Sequence, residues 1–287
     1  MEQGIIVLKS KPVLEIQEFF RYNYRVWQSL RDVSCLSINA DHENSCNGDV
    51  YILYTGSSIK GKDLSWLSGK NVIATNMFFM NEYYPSLDIQ HYLLIEPWQY
   101  RKQWHLSWIL DMIMTRAKVD SPSTIWLHGS AKPYIDYDAL HFCDVDTRKL
   151  LNKNSFRYIN GKGSFYREKV VRDDFSKIIN TNVNTMTFTL FFAAFLGYKN
   201  IYLLGSDYTK TPKVAGHFYD NVSEEAYGFD ESTVFKEENC IFADNLINET
   251  LVHLDKLGVG VFNAVDDGYI SRDIKSINYT SLISKDE

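Results

Sequence analysis

The segment spanning residues 184–207, NTMTFTLFFAAFLGYKNIYLLGSD, constrains the fold more than any other part of the chain. Residues 186–196 are apolar nearly all round, which predicts a helix that is covered on both sides. Gly197 follows at the position where helices commonly end in the left-handed conformation. Residues 201–204 then form a short apolar run, as expected for a central parallel strand. The segment therefore predicts an α/β protein.

Short apolar runs alternate with helical patterns along most of the chain. We predict further strands at 50–54, 71–75, 91–95, 124–127 and 259–262 and further helices at 13–33, 99–118 and 239–257. This order of elements predicts a mostly parallel, Rossmann-like sheet with helices on both faces.

The chain is predicted to form a single α/β domain over residues 1–287, with three additions. Residues 1–49 are an N-terminal extension, and the polar, irregular span 130–183 is a candidate insertion or small subdomain. The polar loop 208–238 is a candidate active-site lid. Within the extension, the helix at 13–33 carries many aromatic side chains, so we expect it to pack on the domain. Contact with a membrane surface or another copy of the chain is the alternative.

Composition limits the partners and the compartment. The 287 residues carry a net charge of -6, which gives no overall basic field, so nucleic acid is not an expected partner. The four cysteines show neither a C-x-x-C pair nor a metal-binding spacing. The first residues lack the pattern of a signal peptide, and no apolar stretch reaches transmembrane length. We therefore expect a cytoplasmic protein, with membrane association left open.

Polar residues follow several predicted strands, at the edge where open α/β sheets bind their ligands. The small residues 56–58 follow the first strand, and their N–H groups and hydroxyls can approach a phosphate. An ordinary strand-to-helix turn is the alternative. Asn76 ends the second strand, where its amide can pair with a base or sugar or form an Asx-turn. Asp207 places a carboxylate just beyond the buried strand.

Two further patterns carry catalytic chemistry. His217 lies in the loop after Asp207, and its imidazole can take a proton from a sugar hydroxyl near neutral pH; a surface histidine is the alternative. Asp144 and Asp146 form an Asp-x-Asp pattern, which can bind a divalent ion that bridges two phosphates. Because the pattern is short and no clear apolar strand precedes it, we predict no metal site.

Taken together, these pieces resemble the bacterial lipooligosaccharide sialyltransferases and related transferases of bacterial surface glycans. The best match is LGYKNIYLLGSD at 196–207, against a family pattern of the type A-L-G-Y-K-x-I-Y-L-x-G-x-D. The turn YTGSSI at 54–59 corresponds to the family's G-N-G-P-S-L turn, although it keeps only one glycine. Asn76 stands before Phe78 and Phe79, where the family's second strand ends in an asparagine before aromatics.

The resemblance implies a metal-independent, inverting glycosyltransferase with no cofactor beyond its donor substrate. The donor would be a CMP-activated sialic acid or related keto-sugar acid, and the acceptor a glycan or glycolipid of the bacterial surface. His217 would be the general base, and Tyr208 and Tyr219 would support the leaving phosphate. Six residues would hold the nucleotide: Gly56, Ser57, Ser58, Asn76, Thr185 and Asp207.

Two other functions stay open at this point. A magnesium-dependent pterin pyrophosphokinase is one, since related proteins carry the same Gly-Tyr-Lys…Leu-Leu-Gly-x-Asp segment. It would use Asp207, Asp144 and Asp146 as metal ligands. A non-catalytic assembly protein is the other, and it would bind partners through the aromatic N-terminal helix. The same helix is consistent with a homo-oligomer.

Overall fold

Eight parallel strands form the centre of the structure, a computed structural model. It describes residues 34–95, 123–132, 155–159, 174–176, 185–206, 237–264 and 274–283, together with positions 16, 20, 24 and 27. The strands are β1 (Asp49–Leu53), β2 (Val72–Thr75), β3 (Ile89–Leu94), β4 (Thr124–His128), β5 (Ser155–Ile159), β6 (Asn200–Leu204), β7 (Gly260–Asn263) and β8 (Lys275–Ser276). Their order across the sheet is β5-β4-β3-β2-β1-β6-β7-β8.

The described helices are few and differ widely in length. They are α1 (Ser34–Ser37), α2 (Thr185–Leu196), α3 (Glu237–Lys256) and α4 (Tyr279–Ile283). Single-turn 3-10 helices make up much of the two connections between β1 and β3. The α/β class and the parallel sheet are thus confirmed, and the predicted strands match the observed ones to within two residues.

The two faces of the sheet are both covered, as the apolar runs predict. Val50 and Ile52 of β1 point to the face that α2 and α3 cover, while Tyr51 and Leu53 belong to the core on the other face. That second face carries α4 and the 3-10 turns between β1 and β3. Burial of the central strands on both sides explains why they are continuously apolar rather than alternating.

No pattern in the sequence predicts β5 or β8. The strand β5 lies inside the span 130–183 that is predicted to be irregular, yet it pairs in parallel with β4 over its whole length. Its first three residues are exposed or half-buried because it is the edge strand of the sheet. An edge strand with one covered end gives too weak an apolar pattern to be recognised.

The helix α2 is buried nearly all round, as predicted. Ten of its twelve residues are buried. Gly197 ends it with φ of 103°, and the N–H groups of Gly197 and Tyr198 donate to the carbonyls of Ala194 and Ala193. These two bonds form a Schellman motif, which confirms the predicted end of the helix.

Four positions of the helix predicted at 13–33 are described, and they are helical but exposed. Ile16, Phe20, Tyr24 and Trp27 lie at spacings of four, four and three residues, and their side chains are 50–67% exposed. The other positions of 13–33 lie outside the described residues, so the packing of this helix on the domain stays a prediction. Among the helices that the structure describes, none combines the length and the apolar character needed to span a bilayer.

His91 is a buried titratable group on β3. Its Nδ1 accepts a hydrogen bond from the Trp126 indole N–H at 3.2 Å, so the ring is neutral with its proton on Nε2. Burial, and secondly the charge of His42, lowers the pKa of His91 to about 4. Protonation would place a second donor against the indole.

We therefore expect the protein to lose stability in acid through His91. The unfolded state binds this proton below pH 6.5, whereas the folded state binds it only near pH 4. The stabilisation is complete above pH 6.5 and is lost as the pH falls toward 4, by about 3 kcal/mol. Urea unfolding at several pH values should show this slope in the wild type and a flatter one in His91→Gln. Equal slopes would contradict the assignment.

Candidate functional site

The sheet changes direction at β1 and β6, and this switch point is where open α/β sheets bind ligands. From β1 the chain proceeds through β2, β3 and β4 to one side, and β6 and β7 build the other side. The carboxyl ends of β1 and β6 lie next to each other, because Leu53 pairs with Leu204 in the parallel register. The candidate site is built at this edge.

Two turns meet at the switch point through backbone hydrogen bonds. The N–H of Tyr54 donates to Leu204 O at 2.9 Å, and that of Gly56 donates to Gly205 O at 2.8 Å. Gly205 has φ of 70°, and a Cβ there would lie 2.8 Å from the Tyr54 carbonyl oxygen. Because the Gly56 N–H is used within the protein, a ligand at this turn would meet the half-buried Ser57 and Ser58 instead.

Asn76 follows the neighbouring strand β2 at the same edge of the sheet. It has φ of 49°, and only one other non-glycine residue in the described ranges, Asn44, has a positive φ. Asparagine is among the few residues that adopt this conformation, which is often found at functional sites. The half-buried Asn76 amide has no hydrogen-bond partner among the described residues, so the Asx-turn alternative is not observed.

The start of α2 lies beside the end of β1. Tyr54, directly after β1, donates its hydroxyl hydrogen to Thr189 Oγ1, and Thr189 donates in turn to Met186 O at 2.9 Å. Burial raises the pKa of Tyr54, with the Thr189 bond acting in the opposite direction, so the hydroxyl stays protonated. Thr185 lies one turn before Thr189 on the same helix face. It is the half-buried first residue of α2 and reaches the carboxyl edge of the sheet.

Two buried side-chain oxygens at this edge are not anticipated from the sequence. Ser206 follows β6 and is 6% exposed, and Asn263 ends the adjacent strand β7 and is 2% exposed. Neither Ser206 Oγ nor Asn263 Oδ1 has a hydrogen-bond partner among the described residues. Buried polar atoms are normally paired. The one available signal is that each is a polar residue directly at the end of an apolar strand.

Several predicted site residues lie outside the described residues. These are Asp207, Tyr208, His217 and Tyr219, together with Asp144 and Asp146 of the Asp-x-Asp pattern. The candidate lid at 208–238 is outside them except for its last two positions, and so is most of 130–183. Within the ranges that are described, no three His, Cys, Asp or Glu side chains gather in a way that could hold a metal ion.

The structure thus brings five of the predicted nucleotide-binding residues to one edge of the sheet. Gly56, Ser57 and Ser58 follow β1, Asn76 follows β2, and Thr185 begins α2. The groups they offer are hydroxyls and an amide, together with the N-terminal N–H groups of a buried helix. These groups suit a polar, anionic ligand, although none of them is a charged side chain.

Comparison with solved structures finds glycosyltransferases of similar fold. Sialyltransferase CstII from Campylobacter jejuni, in complex with cytidine-5'-monophosphate, matches at 14% identity with a TM-score of 0.45, over 80% of this chain and 85% of that one. The monofunctional alpha-2,3-sialyltransferase Cst-I from the same organism matches at 18% identity with a TM-score of 0.47, over 80% of each chain. MAf glycosyltransferase from Magnetospirillum magneticum AMB-1 matches at 12% identity with a TM-score of 0.48, over 86% of this chain but 38% of that longer one.

These structures include the class of enzyme that the sequence motifs resemble. No protein-family model and no curated protein sequence matches the chain. Identities of 12–18% establish neither a family nor an activity for it. The pterin pyrophosphokinase alternative finds no support among the structures compared.

Proposed function

We propose that this chain is a glycosyltransferase that binds a CMP-activated sugar at the carboxyl edge of β1, β2 and β6. The observation that carries the proposal is the hydrogen bond between Tyr54 and Thr189, which holds the N-terminus of α2 beside the switch-point turn. The first turn of a helix directs its backbone N–H groups and a partial positive charge toward the helix N-terminus, an arrangement that suits a phosphate.

The phosphate of CMP would be bound by Thr185 and the first turn of α2, with the hydroxyls of Ser57 and Ser58 opposite. Asn76 would contact the ribose or the base, because its amide both donates and accepts hydrogen bonds. Ser206 and Asn263 offer buried oxygens without described partners on the other side of the switch point. The cytosine base, which presents an amino donor and ring acceptors, would satisfy such groups.

The chemistry would be inverting transfer of sialic acid or a related keto-sugar acid, without a metal ion. In this scheme His217 removes the proton of the acceptor hydroxyl as it attacks the anomeric carbon. Tyr208 and Tyr219 donate hydrogen bonds to the departing phosphate, and Asp207 closes the nucleotide site. Charge develops on the phosphate in the transition state, so fixed donors there lower the barrier.

The acceptor would be a glycan or glycolipid of the bacterial surface, such as lipooligosaccharide, O-antigen or capsule. CMP-sugars are soluble and the acceptors are lipid-linked, so a cytoplasmic enzyme would meet its acceptor at the membrane surface. The exposed aromatic positions of the N-terminal extension are consistent with a peripheral membrane contact or a homo-oligomer.

Thermal stabilisation by a nucleotide panel tests the proposal. CMP, CDP, UDP, GDP and ATP are each added at saturating concentration, with magnesium or with EDTA. A ligand that binds only the folded state raises Tm by mass action. At 100 times its Kd, it adds about 2.7 kcal/mol to the free energy of unfolding. We expect CMP to raise Tm with EDTA as well as with magnesium. In a second assay, we expect the protein to release CMP from CMP-sialic acid.

Two outcomes would contradict the proposal. A rise in Tm that requires magnesium and occurs with UDP, GDP or ATP would mean that the donor is not a CMP-sugar. It would also favour Asp144 and Asp146 as metal ligands. The absence of a shift with any nucleotide would instead favour the assembly protein. Asp144→Ala is the matched variant, since it should retain full activity in the metal-independent scheme.

A further inference from the structure

The backbone conformation of Asn76 is one that a non-glycine residue does not favour, so other contacts have to stabilise it. Its φ of 49° lies in the left-handed region, which costs a non-glycine residue free energy even where asparagine lowers that cost. It begins a 3-10 turn, Asn76–Met80, that contains a further kink at Met77. A short turn of this kind contributes little stability of its own.

The hydroxyl of Tyr92 holds this turn at two points. It donates to Asn76 O at 2.6 Å and accepts from the Phe79 N–H at 3.0 Å. One hydroxyl can donate once and accept, so both bonds are compatible. They join the first residue of the turn to its fourth residue.

Tyr92 itself is rigidly placed. It lies in the middle of β3 and pairs with Ala74 of β2, the strand that leads directly to Asn76. Its side chain is fully buried, and its ring meets that of Tyr84 edge-on at 5.8 Å between centroids. The position of its hydroxyl is therefore set by the sheet and not by the turn.

We propose that Tyr92 is a positioning residue for the nucleotide site, which acts by fixing the backbone of Asn76 so that its amide is presented to the ligand. This inference rests on the proposed function, because the ligand is the CMP moiety of the donor. Without the hydroxyl, the Asn76 carbonyl and the Phe79 N–H lose a buried partner, and the turn relaxes. Only a fraction of molecules would then present the amide in the binding conformation, and the apparent Kd for CMP would equal the intrinsic Kd divided by that fraction.

The test is CMP binding by titration calorimetry to four proteins: wild type, Tyr92→Phe, Asn76→Ala and the double variant. Tyr92→Phe keeps the buried ring and removes only the hydroxyl. We expect its Kd for CMP to rise about five- to tenfold, the loss that one net hydrogen bond produces. In the Asn76→Ala background the same change should have no further effect, because the group that Tyr92 positions is already absent.

Tyr198→Phe is the matched control. Tyr198 is also a buried tyrosine, with Cys46 beside its hydroxyl, but it lies between α2 and the start of β6, at the opposite edge of the sheet. The Tyr198→Phe variant should lose about as much stability as Tyr92→Phe, but it should bind CMP with the affinity of the wild type.

The outcomes separate this inference from the proposed function. If the wild type binds CMP and Tyr92→Phe binds it equally well, the inference is wrong and the function stands. If Tyr92→Phe weakens CMP binding as strongly in the Asn76→Ala background as in the wild type, Tyr92 does not act through Asn76. A wild type that binds no CMP overturns the proposed function, and this inference with it.

Discussion

Gly197→Ala is expected to lower the free energy of unfolding by about 3–5 kcal/mol, a large part of the stability of an ordinary domain. Two effects add. Alanine at φ of 103° adopts a backbone conformation that L residues rarely accept. In addition, its Cβ would lie 2.4 Å from the backbone oxygen of Cys46 and 3.1 Å from the Cα of Asn44.

The crowding at Gly197 comes from the segment that leads into β1. The N–H groups of Asn44 and Cys46 donate to the last carbonyls of α2, at Phe195 and Leu196. This segment cannot retreat from a new Cβ without breaking those bonds, which satisfy the end of a buried helix. The clash is with backbone and not with the tip of a flexible side chain, so it cannot be relieved by a rotamer change.

Gly258→Ala provides a matched control within the same chain. Gly258 ends α3 in the same kind of motif, with its N–H donating to Asp255 O and that of Val259 donating to Leu254 O. Its φ is 70°, but nothing lies within 4 Å of the position that an alanine Cβ would take. It should therefore show only the conformational cost, about 1–2 kcal/mol.

Urea unfolding followed by tryptophan fluorescence would measure both variants against the wild type. The difference between the two variants isolates the contact with Cys46. Equal losses at the two glycines would mean that the segment before β1 moves away easily, and that its hydrogen bonds to α2 contribute little.

His217→Ala has the largest effect expected on activity. If His217 is the general base, kcat should fall about 100- to 10,000-fold, the usual contribution of such a group. CMP affinity should stay near that of the wild type, because His217 is not among the proposed nucleotide contacts. The two measurements are release of CMP from CMP-sialic acid and CMP binding by titration calorimetry.

The pH profile adds a test that a structural role would not pass. A histidine base should give a wild-type kcat that rises with pH through the ordinary histidine pKa, near 6.5. This rise should disappear in His217→Ala. His253→Gln is the control, since His253 lies in the last turn of α3, beside the start of β7 and away from the carboxyl edge. Normal turnover in His217→Ala would remove this residue from the mechanism.

Much of the fold could be predicted because its signals are local. The apolar helix α2, the glycine that ends it and the strand β6 are neighbours in sequence, and each has a distinctive pattern. The same holds for β1 and β2, where buried strands end in small or polar residues. The edge strand β5 could not be predicted in this way, since its half-exposed residues mix apolar and polar character.

The chain alone determined the class of fold and the identity of the polar residues that follow the strands, because both depend on the order of residues along the sequence. Only the tertiary structure decided how these residues are used. It is the pairing of β1 with β6 that consumes the Gly56 N–H, and the buried tyrosines that hold the rest of the site. Tyr54 reaches Thr189 across 135 residues, and Tyr92 reaches Asn76 from the neighbouring strand. Such contacts depend on which strands become neighbours, and sheet order leaves no periodic trace in the sequence.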